Sequence, residues 1–151
     1  MKSKGLRWLI GLFFVGYTCC LLYWMFIGFG RGIHRDASFS YNLIPLRTIG
    51  LYLFHMDAFP WRVWVINLFG NMGVFMPFGI CMPYLFRPAA RYKIFILLFG
   101  CPLVGLEGLQ MLLRVGSFDV DDLILNGLGA SAAYAFYMHF PTFKRKFIGA
   151  E

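Results

Sequence analysis

The chain has 151 residues, of which 60% are hydrophobic, 20% aromatic and 14% charged, with a formal net charge of +7. A soluble domain of this length carries a mixed, charged surface, so this composition excludes one and makes lipid the solvent for most of the chain. The excess Lys and Arg sit where loops meet apolar runs, which assigns them to membrane topology and leaves no role for nucleic acid.

A helix needs about 20 apolar residues to cross a hydrocarbon core of about 30 Å. The first such run covers residues 8–29 and follows Lys2, Lys4 and Arg7. These cations resemble a signal-peptide n-region, but the apolar stretch is too long and lacks a small-x-small cleavage site, so an uncleaved anchor is expected. Next comes a long connection, Gly30 to Pro60, containing Leu43, Ile44, Leu46, Ile49, Leu51, Leu53 and Phe54. That stretch is too short to span and reads as an interfacial or re-entrant segment. Three further spans follow at residues 61–86, 92–113 and 122–140, joined by short connections. With no internal repeat, residues 1–151 are expected to form a single all-α domain, a bundle of four transmembrane helices.

Nine Lys and Arg residues precede the first span, separate the second from the third, or follow the fourth. Five (Arg31, Arg35, Arg47, Arg62 and Arg114) lie on the other side. The positive-inside rule then places both termini in the cytoplasm, for a multi-pass protein of the cytoplasmic membrane. Cys19, Cys20, Cys81 and Cys101 lie within apolar runs and read as small hydrophobes, and His34, His55 and His139 are scattered. Neither a metal nor a cofactor is expected.

Strongly polar side chains within the spans are few: Asn67 and Asn71, Glu107 and Gln110, and Asn126. Each is costly in hydrocarbon. At the helical rise, Asn67 and Asn71 sit about 9 and 15 Å below Trp61, and Glu107 about 10 Å below Arg114, so all occupy the outer half or the midplane. The spacings i, i+4 for Asn67 and Asn71, i, i+3, i+7 for Glu107, Gln110 and Arg114, and i, i+4 for Asp122 and Asn126 give each helix one polar stripe. Three stripes facing a common interior, rimmed by Asp119, Asp121, Asp122 and Arg114, make an outward-facing polar pocket. The competing explanation is that the amides hold helices together while Gly70, Gly73, Gly105, Gly108, Gly129 and Ala133 permit close approach. Glu107 resists that explanation most, because a carboxylate in lipid must protonate, meet a cation or reach water. Arg47, Arg62 and Arg114 are its rival partners; Arg62 and Arg114 equally suit helix ends by snorkelling.

The order Asn42-Leu-Ile-Pro45, Asn67 through Asn71 to Phe75-Met-Pro77-Phe-Gly79, Glu107-x-x-Gln110, and Asp119-x-x-Asp122-x-x-x-Asn126-x-x-Gly129 resembles the VanZ-like family from about Asn42 to Tyr134. The resemblance carries over Asn42, Pro45, Asn67, Asn71, Pro77, Gly79, Glu107, Gln110, Asp119, Asp122 and Asn126. It implies a small bacterial membrane protein associated with low-level resistance to the glycopeptide teicoplanin. Arg114 and Asp121 add charges that the pattern does not demand, and Leu51 to Pro60 is unusually apolar.

Three functions follow as expectations. The first is an envelope accessory protein whose pocket (Asn42, Arg47, Asn67, Asn71, Glu107, Gln110, Arg114, Asp119, Asp122 and Asn126) holds a membrane lipid or lipid-linked envelope precursor, with the glycopeptide antibiotic itself a further candidate ligand. The second is an outer-face enzyme with Glu107 as general acid or base. The third is a structural partner in an envelope complex.

Overall fold

The computed structural model describes residues 2–28 and 38–140. The cations Arg31, Arg35, Lys144, Arg145 and Lys146, and His34, lie outside the described residues.

Helix α1 covers Lys2–Phe26. After a two-residue strand β1 (Tyr41–Asn42), the expected short apolar segment forms a helix, α2 (Arg47–Phe54), followed by a 3-10 turn at Met56–Ala58. A continuous helical stretch then runs from Trp61 to Leu85. It comprises α3 (Trp61–Val65), one wider π turn (Ile66–Gly70) and α4 (Asn71–Leu85). Pro60 opens it, and Pro77 and Pro83 are carried inside it. Helix interiors tolerate proline in a membrane bundle because neighbouring groups can satisfy the freed carbonyls. A 3-10 turn at Arg87–Ala90 leads to α5 (Tyr92–Leu112), strand β2 (Phe118–Asp119) and α6 (Val120–His139).

Three helices, within Lys4–Phe26, Trp61–Leu85 and Tyr92–Leu112, are long and apolar enough to cross a membrane. Helix α6 has 20 residues, a spanning length, but carries Asp121 and Asp122 in its first turn and stays outside that set. The chain is thus a multi-pass, essentially all-helical membrane protein with three to four candidate spans. Their ends fall within a few residues of the expected limits.

Long-range contacts fix the helix directions. The Arg7 guanidinium donates to Leu85 O at 2.7 Å and the Tyr17 hydroxyl to Val74 O at 2.7 Å, so α1 runs antiparallel to α4. Helix α6 runs parallel to α4, with Asp122 beside Asn71 and Tyr134 further along beside Gly79. This contact is close because glycines make it. A Cβ at Gly79 would overlap Ala130 O and lie 2.9 Å from Ala133 Cβ, and one at Gly129 would overlap Met72 O. The sequence pattern had marked both glycines, and small residues at such crossings let dispersion and backbone contacts replace the missing hydrophobic drive.

Helix α5 returns antiparallel. Its first turns stack Tyr92 and Phe95 on Tyr134, at ring separations of 5.4 and 4.7 Å, and its last turn reaches α1, where Gln110 Nε2 donates to Met25 O at 2.7 Å. The core between α4, α5 and α6 is aromatic, with Phe75, Phe95, Phe99 and Tyr134 at its centre. Helix α1 is peripheral, and none of its most apolar window is buried.

Candidate functional site

The polar residues collect at the end of the bundle where α4 and α6 begin and α5 finishes. Strands β1 and β2 pair in parallel there, Tyr41 opposite Phe118 and Asn42 opposite Asp119, joining the long connection to the α5–α6 turn. Helix α5 stops through two crossed bonds, Arg114 N to Met111 O and Val115 N to Gln110 O, both 3.0 Å. Arg114 has φ 57°, in the left-handed position that usually holds glycine after a helix. Its guanidinium lies 5.1 Å from the centre of the Phe39 ring. Arg114 thus combines a helix stop with a cation–π contact.

The three acids of the next turn divide their work. Asp119 is the N-cap of α6, accepting from Asp121 N at 2.9 Å. The same carboxylate accepts from Asn42 Nδ2 at 3.0 Å and from Thr48 Oγ1 at 2.7 Å. Asn42 Nδ2 also contacts Thr48 Oγ1 at 3.1 Å, while its Oδ1 accepts from Ile44 N at 3.2 Å. Asp122 accepts from Asn71 Nδ2 at 2.6 Å, tying α6 to α4.

Asp121 is fully buried, at 0% exposure, and its oxygens accept from the backbone N–H groups of Leu46 (2.5 Å), Thr48 (2.6 Å) and Ile49 (3.0 Å). Leu46, the N-cap of α2, has φ 64° and offers no side-chain cap. A left-handed residue followed by a helix start points successive N–H groups into one concavity, an anion-binding arrangement. Here the anion is the chain's own Asp121, which supplies what Leu46 lacks. One acidic turn therefore caps two helices, α6 through Asp119 and α2 through Asp121. The motif pattern had left Asp121 out as an additional charge, and it is the most deeply held of the three acids.

Deeper in the bundle, Glu107 and Gln110 are each 4% exposed and Asn126 is 2% exposed. Asn126 Oδ1 is buried and accepts no hydrogen bond. Asn67, by contrast, lies within the π turn and turns back on its own helix, donating to Val63 O at 2.7 Å. Arg47 lies at the start of α2 with its side chain exposed. The sequence-predicted set thus separates into residues joined to one another (Asn42 with Asp119, Asn71 with Asp122), residues buried deeper (Glu107, Gln110, Asn126), and residues placed elsewhere (Asn67, Arg47, and Arg114 over Phe39).

Tyr52, on α2, was not singled out from the sequence. Partial burial pushes its phenol above the ordinary value, and the negative charges of Asp122 and Asp119 push it the same way. Both effects follow from the position of α2 over the acidic turn, fixed by the bonds of Leu46, Thr48 and Ile49 to Asp121. The apolar faces of α2 remain open, with Leu46, Leu51, Leu53 and Phe54 exposed. A short helix bonded to polar groups beneath and presenting apolar groups outward suits an interface with lipid.

A family model described as VanZ/LLP1 matches residues 14–143. The chain belongs to the VanZ/LLP1 family. That match covers all four polar stretches from Asn42 to Asn126 and the second half of α1. No curated protein and no solved structure matches the chain.

Proposed function

We propose that this VanZ/LLP1-family protein is an envelope accessory protein of the bacterial cytoplasmic membrane, holding the polar head of an amphiphile or lipid-linked envelope precursor at its acidic end. Both termini are then cytoplasmic and the acidic turn faces outward, the orientation that the distribution of Lys and Arg favours. The observation that carries this reading is Asn126 Oδ1, an acceptor shut away from solvent with no donor facing it. A buried polar atom without a partner costs about 1–3 kcal/mol, and a ligand donor would remove that cost. Glu107, buried on α5, supplies a second acceptor group in the same half of the bundle. Acceptors call for a head rich in hydroxyl, amide or ammonium donors. Arg47 is exposed outside this polar set, so a phosphate clamp built on it has less support than donor recognition. The family association makes low-level teicoplanin resistance the phenotype in which such binding would be read.

A structural role is favoured by a different observation: Asp121, Asp119 and Asn42 are fully engaged within the chain. The two readings separate on Asn126→Leu and Glu107→Gln. If the polar groups serve packing alone, Asn126→Leu is neutral or stabilising, because it deletes an unpartnered acceptor, and lipid content is unchanged. If they hold a head group, both variants fold but lose the lipid that copurifies with wild type in mild detergent, and fail to complement. Unaltered lipid content and full complementation in both would reject the binding reading.

A further inference from the structure

The opposite end of the bundle carries an arrangement unrelated to the polar cluster. Between α1 and α4 lies a cavity of about 420 Å³ lined by Ile10, Phe13, Met76, Pro77, Ile80 and Tyr84, with Gly73 and Cys81 completing its wall. Its lining is apolar and it is only partly enclosed, with the peripheral helix α1 forming one wall. Along α4 it extends from Gly73 to Tyr84, about 16 Å at the helical rise. That is about half of a hydrocarbon core of about 30 Å, the depth of one leaflet.

The end of the groove at Tyr84 is marked by charge. Arg7 is held there by its 2.7 Å bond to Leu85 O, the carbonyl next to Tyr84. One contact leaves the rest of the guanidinium fork able to donate. Lys4 precedes Arg7 by three residues, close to one helical turn, and Arg87 follows Leu85 by two; all three side chains are exposed. We infer that this groove binds one acyl chain of an anionic glycerophospholipid, with the lipid phosphate at Arg7 and with Lys4 and Arg87 as flanking cations. The charge fixes the class of lipid, since a zwitterionic head brings its own cation to a site already positive. The groove length fixes the occupant as a leaflet lipid rather than a free anion.

Native mass spectrometry of the purified full chain in mild detergent tests this with three probes: dioleoylphosphatidylglycerol, dioleoylphosphatidylcholine and glycerol 3-phosphate. One phosphatidylglycerol is expected to be retained well above phosphatidylcholine, with no retention of glycerol 3-phosphate. Arg7→Gln should lower that retention roughly fivefold, the effect of one cation near a phosphate. Arg7→Lys should restore most of it, and Ile80→Trp, which fills the groove, should lower it without changing charge. Arg91→Gln, at the same end of the bundle but outside the groove, should leave it unaltered. Equal retention of phosphatidylcholine, or equal losses in Arg7→Gln and Arg91→Gln, would overturn the inference. So would binding of glycerol 3-phosphate alone, which would indicate a plain anion site. If Arg7→Gln fails to fold, Ile80→Trp decides: undiminished phosphatidylglycerol retention there rejects the groove.

Discussion

The two ends of the bundle handle charge in opposite ways. At the end where α6 begins, carboxylates are inside the fold, and their bonds to other elements join positions 51 to 77 residues apart in sequence. At the other end, Lys4, Arg7, Arg87, Arg91 and Lys93 are all exposed, and the helices are joined there by stacked rings and by single bonds to backbone carbonyls, Tyr134 hydroxyl to Ala90 O at 2.6 Å and the Arg7 guanidinium to Leu85 O at 2.7 Å. The difference follows from side-chain chemistry. Long Lys and Arg side chains reach water from a helix end, whereas a short Asp near the bilayer must find donors nearby. Backbone N–H groups at two helix starts provide those donors. Negative charge here builds structure, and positive charge is left available for the surroundings.

The comparison is broken most directly at Asp121. Asp121→Ala leaves three N–H groups of α2 without an acceptor, each a charge-assisted bond of about 1.5–3 kcal/mol. The expected result is release of α2, with a local loss of about 3 kcal/mol or more. Hydrogen exchange at Leu46, Thr48 and Ile49 should rise sharply while α5 amides stay protected. Unaltered exchange at those three amides would mean the acid does not hold α2. Asp121→Asn keeps one acceptor oxygen and should fall between the two.

Gly79→Leu tests what lies between the ends. The added side chain meets backbone atoms of Ala130 and Tyr134, which cannot rotate away, so about 3 kcal/mol is expected, the upper part of the range for overpacking. Thermal unfolding in detergent should register this as a global loss, unlike the local release at Asp121. Tyr134→Phe, at the basic end, removes one neutral bond and should cost about 1 kcal/mol by the same measurement. A larger loss there than in Asp121→Ala would reverse the proposed difference between the ends.

Much of this was legible in the sequence, for identifiable reasons. Apolar runs of spanning length announce the long helices, because backbone groups in lipid must bond within their own helix. The motifs marked Asn42, Asn71, Asp119 and Asp122, all of which take part in the acidic end, and Gly79 and Gly129, which make the tightest contact. Pairing was not legible: Asn42 meets Asp119 across 77 positions, and spacing along a helix carries no information at that distance. Asn67 shares a stripe with Asn71 on paper, yet a π turn intervenes and its amide bonds to Val63 O. Asp121 was placed on the rim of the pocket but outside the motif pattern, and its role as a cap was not legible. Its signal was indirect, in a short apolar segment, Leu43 to Phe54, that starts a helix with Leu46 where a capping side chain belongs. An uncapped helix beside a cluster of acids invites one of them to complete it.

The smallest effect is the one that reports on the comparison without removing an acid. Burial, then Asp122, then Asp119 hold the Tyr52 phenol above its ordinary value of 10.0. Because the folded-state value is the raised one, the stabilisation linked to the neutral phenol is complete below the unfolded value and is lost as pH rises through the folded one. A phenolate absorbance titration, taken as the difference between wild type and Tyr52→Phe, should therefore show Tyr52 ionising late. Asp122→Asn should bring it only part of the way back, since burial is the larger cause. Asp121→Ala should bring it further, because a released α2 loses both burial and the neighbouring charges. A Tyr52 titration insensitive to Asp121→Ala would show that α2 stays over the acidic turn without its capping carboxylate.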